Sequence, residues 1–160
     1  MSASDPNEST FTRKARRAQL IECAIDTIAD LGYAQTSLAV IAKRAGISKG
    51  VISYHFAGKD ELIEQIVIAV YTAGAHFMIP RLQAARTKRE GLRVYLEANV
   101  AFIGANRKQM VALVEIFANH RFTPRGSNGE DLSEEPTLAP LVAMLRQGQQ
   151  DGEFRDFDPR

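Results

Sequence analysis

From Ile21 the chain repeats apolar residues at the spacing of one helical face: Ile21, Ala24, Ile25, Ile28 and Leu31, with charged residues between them. This predicts an amphipathic helix that ends at Gly32, a residue able to take the left-handed conformation just past a helix. Thr36 and Ser37 offer N-caps to a short second helix with Leu38, Ile41, Ala42 and Ala45 on its inner face. Gly46 stops that helix after about two turns. Ser48 caps a third, which carries Val51, Ile52 and Phe56.

A long apolar-periodic segment follows from Lys59 to about Met78, using Leu62, Ile63, Ile66, Ala69, Val70 and Ala73, with Pro80 as its expected end. Further helices are expected over 90–104, 108–122 and 138–150. Residues 124–136 are rich in Gly, Ser and Glu without periodicity and predict a mobile loop. No internal repeat is present, and the fold class predicted is all-α. Two short helices joined by a tight Gly-containing turn form a helix-turn-helix, and the helix before them buries their shared apolar face.

Composition narrows the class further. At 160 residues, 45% hydrophobic and 24% charged, the chain fits one globular domain or two small ones. The longest uninterrupted apolar run, 66–70, is far short of the roughly 20 residues of a bilayer crossing, so no membrane partner is expected. The polar residues 1–10 lack a secretory core and are expected to form a disordered tail. A single cysteine, Cys23, cannot form an internal disulfide; together these predict a cytoplasmic protein.

The net charge of +1 averages two unlike parts. Residues 11–59 hold eight Lys and Arg against three Asp and Glu, whereas 60–160 hold 12 against 14. A basic module therefore precedes a near-neutral one. In a helix-turn-helix the second helix enters the major groove, which calls for donors and small groups on its exposed side. Lys49 can donate to a guanine edge, Gly50 admits close backbone approach, Val51 offers methyls to thymine, and Ser53 supplies a hydroxyl. Thr36, Ser37, Ser48, Tyr54, His55 and Lys59 can bond phosphates, while Ile52 and Phe56 are expected to face inward.

These residues carry a resemblance. Ile21, Ala24, Gly32-Tyr33, Thr36-Ser37, Ile41-Ala42, Ala45-Gly46, Ser48, Gly50, Tyr54-His55-Phe56 and Lys59-Asp60-Glu61-Leu62 stand in register with the DNA-binding domain of the TetR family of bacterial transcriptional regulators. Ser53 departs from it, standing where members often have a DNA-reaching tyrosine. The resemblance implies a DNA-binding domain over 11–58 and a helical effector-binding and dimerisation domain over 59–160. It implies a ligand-responsive repressor that binds a pseudo-palindromic operator as a homodimer. It also implies two further helices after the last one here, so the sequence looks incomplete at its C-terminus and a weak dimer is expected from it.

Other readings of the same residues are plainer. Tyr71, Phe77, Tyr95, Phe102 and Phe117 occur at helical spacing, which by default means core packing; the resemblance offers them instead as walls of an effector cavity. Cys23 reads as a small buried hydrophobe. His76 and His120 have no neighbour at metal-ligand spacing, so no metal or cofactor is expected. No paired-carboxylate, phosphate-loop or nucleophile-elbow motif occurs, so no enzyme is expected. The rival from another class is a helical protein-interaction module built on the same three helices.

Overall fold

A computed structural model describes residues 6–119 and 135–159. His120 and most of the loop expected over 124–136 lie outside the described residues. Among the described residues the chain is all helical: α1 (Pro6–Leu31), α2 (Leu38–Arg44), α3 (Lys49–His55), α4 (Lys59–Gln83), α5 (Lys88–Ala105), α6 (Arg107–Asn119) and α7 (Glu135–Gln150). α1 begins at Pro6 and so takes in the second half of the stretch expected as a tail.

The helices form two compact units. The first holds α1, α2, α3, the part of α4 up to Thr72, and α6. Its core is built from Leu20, Ala24, Ile25 and Ile28 of α1, Ile41 of α2, Ile52 of α3, Phe56, Leu62, Ile63 and Ile66, and Ile116 of α6, all buried. Each large side chain among them contributes about 1.5–3 kcal/mol by leaving water. α6, expected from sequence to serve the effector region, packs along α1. Ala112 and Ile116 are its buried positions, one turn apart on the same face.

The second unit holds α4 from Ala73, α5, α7 and the segment after α7. Thr87 caps α5 by accepting from the Glu90 amide at 3.1 Å, and the Glu90 carboxylate accepts from the Arg86 amide at 2.9 Å. α5 and α7 pack on each other, and Gly91 of α5 makes room for Met144 of α7: a Cβ on Gly91 would come to 3.0 Å from Met144 Sδ. After α7, Gly152 takes a left-handed turn (φ 73°), and the Glu153 carboxylate then accepts from the amides of Lys88 and Arg89 at 3.0 and 2.9 Å. That carboxylate satisfies orphan donors in the first turn of α5.

Two expectations need correction. α4 runs through Pro80 to Gln83 rather than stopping before it. The proline lies within the last turn, where its missing amide removes one bond, to the carbonyl of exposed His76. α4 is also long and apolar enough, by length and composition, to cross a membrane, which the count of uninterrupted residues overlooked. In this fold Leu62, Ile63, Ile66, Val67 and Val70 use that apolarity to build the first unit's core.

Candidate nucleic-acid interface

The turn between α2 and α3 follows from three residues. Ser37 Oγ accepts from the Val40 amide at 3.3 Å and starts α2. At its end the Ile47 amide donates to the Ala42 carbonyl at 3.0 Å and the Gly46 amide to Lys43 at 3.2 Å. This is a Schellman stop, with Gly46 left-handed at φ 67°. Ser48 follows after one residue, its Oγ accepting from the Val51 amide at 3.3 Å. The turn therefore needs only Gly46 and Ile47 between the C-cap Ala45 and the N-cap Ser48.

α3 is two-sided. Ile52 and, at its C-cap, Phe56 are buried, whereas Lys49, Gly50, Val51, Ser53 and Tyr54 are exposed, Tyr54 to 72%. A Cβ at Gly50 would meet only Ser48 Oγ, at an ordinary 3.7 Å, so the fold itself does not require glycine there. Ser37 and Ser48 are exposed at neighbouring helix starts. Each uses its oxygen as a cap acceptor and keeps its hydroxyl proton to donate outward.

His55 is half-buried, and the Tyr54 ring stands edge-on to it with centroids 5.2 Å apart. Burial first, then the charges of Arg17, Arg13 and Arg16, holds its imidazole below the ordinary histidine value. It is therefore neutral near pH 7 and offers one N–H donor.

Arg17 of α1 fixes this end of α3. Its guanidinium donates to the His55 carbonyl and to Glu61 Oε1 at 2.6 Å, and it lies 4.3 Å from the centre of the Phe56 ring. Glu61 in turn accepts from the Ala57 amide at 2.7 Å. One arginine thus ties α1, the end of α3 and the start of α4 together. Nothing local in the sequence marks this role, because its partners lie 38 and 44 residues away.

Two of the residues expected to bond phosphate do other work. Thr36 is buried, its Oγ1 donating to the Gly32 carbonyl at 2.9 Å, so it closes the α1–α2 turn. Lys59 Nζ donates to the Tyr33 carbonyl at 2.8 Å and sits 3.7 Å from the centre of the Tyr33 ring. Burial lowers its pKa from the usual lysine value. Its ammonium is held against the fold and does not reach outward.

The five aromatic residues expected around an effector do not gather in either unit. Tyr71 and Phe117 are exposed on the first unit. In the second, Phe77 and Phe102 pack ring to ring at 5.7 Å, Phe102 lies close over Gly74, and Tyr95 is half-buried on α5. A cleft of about 240 Å³ opens instead among Leu82, Ala85, Thr87, Gly91, Met144 and Glu153, and none of the five lines it. Among the described residues no group of three His, Cys, Asp or Glu could hold a metal ion.

Residues 20–66 match the family described as bacterial regulatory proteins, tetR family. Over 85 residues the chain is 40% identical to the HTH-type transcriptional regulator BetI 1 of Chromohalobacter salexigens, covering 52% of this chain and 42% of that one. Over 135 residues it is 31% identical to BetI of Cronobacter sakazakii, covering 82% and 66%. The matched parts of the chain thus span between 42% and 66% of the length of these curated relatives. In fold it is similar to AibR, whose structure is known in complex with isovaleryl coenzyme A and operator DNA: TM-score 0.73, 23% identity, covering 90% of this chain and 77% of that one. The helix-turn-helix of α2 and α3, the matched segment 20–66 and the relatives agree: the chain belongs to the TetR family of bacterial transcriptional regulators.

Proposed function

We propose that this protein is a DNA-binding transcriptional regulator, a ligand-responsive repressor that binds a pseudo-palindromic operator as a homodimer. The observation that carries the reading is the two-sided α3, with Ile52 buried and Lys49, Gly50, Val51, Ser53 and Tyr54 exposed beside the N-capping serines. Seated in a major groove, this face brings a cation, a bare backbone, methyls and hydroxyls to base edges. Lys49 carries base preference. Tyr54, His55, Ser37 and Ser48 hold phosphates and set the register. Glycine at position 50, which the fold does not demand, suits close approach to a base.

Residues 11–58 supply DNA binding, and 59–160 supply effector binding and dimerisation. α4 and α6 both contribute to the first unit, so an effector that moved either would act on the seating of α3. A few ångströms of change in the spacing of two recognition helices decides operator binding, since half-sites recur at about 34–36 Å. AibR is known with both a small molecule and operator DNA, and that pairing is extended here to this chain. Its effector is a small molecule. The relatives are transcriptional regulators by name, and a regulatory, non-enzymatic role in the cytoplasm is proposed here for this chain.

Selection from a random-sequence duplex library tests this reading. The expected enrichment is an inverted repeat with two half-sites about one helical turn apart, or a multiple of it. Recovery of unenriched sequence would reject it, and would leave the helical unit as a protein-interaction module.

A further inference from the structure

The apolar stripe of α1 does not simply end at Leu20. Counting back from Ala24 and Leu20 in steps of three and four, the same face continues through Arg17 to Arg13, with Arg16 alongside. In a helix buried only for packing these positions would be apolar. Arg17 is accounted for by Glu61, the His55 carbonyl and the Phe56 ring. Arg13 lies one turn, about 5.4 Å, further along the axis. Both Arg13 and Arg16 are exposed, and among the described residues neither is paired with a carboxylate. Among the described residues, Arg16 donates to Gln19 at 3.2 Å.

Their position is fixed from the other side as well. Arg17 is anchored on the last residue of α3, so its neighbours on the same face stand beside the C-terminal end of that helix. The charges of Arg13 and Arg16 are both felt at the His55 ring. These arginines lie just before the family segment 20–66.

We infer that Arg13 and Arg16 form a second, sequence-independent contact with duplex DNA, a phosphate clamp on the backbone bordering the groove that α3 enters. A major groove about 12 Å wide has a phosphate backbone along each wall. Ser48 stands at the N-terminal end of α3, and the arginine pair stands beside its other end, where Arg17 is anchored. Guanidinium groups suit this use because their fixed donors match phosphate oxygens two at a time. The inference rests on the DNA-binding reading above and adds to it a wall contact that carries no base preference.

The probe is a mixed-sequence duplex of about 30 base pairs, titrated by fluorescence anisotropy over a series of salt concentrations. Each phosphate contact steepens the fall of log affinity with log salt by about 1. The variant R13Q/R16Q is expected to lose about 2 from the wild-type slope, to weaken every sequence by the same factor, and to melt as wild type does. R13K/R16K keeps both charges and is expected to retain the slope. R146Q/R155Q removes equal charge from the second unit and is expected to retain it too. A wild-type slope persisting in R13Q/R16Q, or an equal loss in R146Q/R155Q, overturns the clamp while leaving DNA binding intact. A flat slope in the wild type overturns both.

Discussion

The carboxylate of Glu115 on α6 accepts a hydrogen bond from the backbone amide of Tyr33, 82 residues earlier, at 3.0 Å. Tyr33 stands in the turn between α1 and α2, and its carbonyl and ring hold Lys59 at the start of α4. The preceding residue, Gly32, is left-handed, and a Cβ there would come within 3.3 Å of the same carboxylate. α4 and α6 therefore both meet the one turn that joins α1 to the helix-turn-helix. Along the same face Lys108 of α6 pairs with Asp26 of α1 at 2.8 Å, and Asp30 pairs with Arg44 of α2.

Glu115→Ala is expected to destabilise the first unit by about 1–3 kcal/mol, because it leaves a part-buried amide without its charged acceptor. Glu115→Gln keeps an acceptor oxygen and is expected to lose less. Equilibrium urea unfolding checks the pair; equal stability of Glu115→Ala and wild type would show that the amide is satisfied elsewhere.

Gly46→Val is expected to cost about 1–3 kcal/mol through the backbone alone. No atom lies within 4 Å of a Cβ placed there, so crowding contributes nothing, but φ 67° is strained for a β-branched residue. Gly46→Asn, which tolerates that conformation, is expected to be milder. Thermal melts ranking valine at or above asparagine would contradict the Schellman geometry.

In the second unit, Gly148 lies under the Phe154 ring, whose carbons are 2.3 Å from where a Cβ would stand, with Lys88 Cβ at 3.1 Å. Gly148→Ala is expected to destabilise by about 1–3 kcal/mol through overpacking. Phe154→Leu in the same chain is expected to recover part of the loss, and additive effects in the double variant would show that the two sites do not touch.

The helix-turn-helix was legible because its rules are local: Ser37 and Ser48 cap, Gly46 stops, and Ile52 and Phe56 repeat at helical spacing. What stayed hidden depends on residues far apart in the chain. Thr36 and Lys59 present polar tips that suit phosphate equally well, and only the fold turns them towards Gly32 and Tyr33. Arg17 shows the reverse: it reads as one of several solvated charges until Phe56 and Glu61 are brought to it. α6 carries an apolar stripe that fits many neighbours, and only the fold shows that Ala112 and Ile116 are buried in the unit of α1 and that Glu115 and Lys108 meet Tyr33 and Asp26. Tyr71, Phe77, Tyr95, Phe102 and Phe117 share a spacing, yet Phe77 and Phe102 pack ring to ring while Tyr71 and Phe117 are exposed.

The Arg17–Glu61 pair gives stability a pH dependence. Hydrogen bonds from Arg17 first, then from the Ala57 amide, hold the Glu61 carboxyl below its ordinary value of 4.5. A group whose pKa is lower folded than unfolded contributes stability above its unfolded value and loses it as pH falls through the folded one. Wild type is therefore expected to lose this contribution as pH falls below about 4.5, and Arg17→Gln to lose less over the same range. Parallel stability curves for the two proteins would contradict the assignment.

The role of α3 is tested most directly by the ratio of affinities for the selected operator and for a scrambled duplex, measured at one salt concentration. Lys49→Ala is expected to lower that ratio by about 1–3 kcal/mol, or roughly fivefold to 150-fold, with little effect on folding. Tyr54→Ala is expected to weaken both duplexes alike and leave the ratio unchanged. Both substitutions fall on exposed positions, so a change in melting temperature is not expected. A Lys49→Ala protein with the wild-type ratio would contradict the claim that this face of α3 reads sequence.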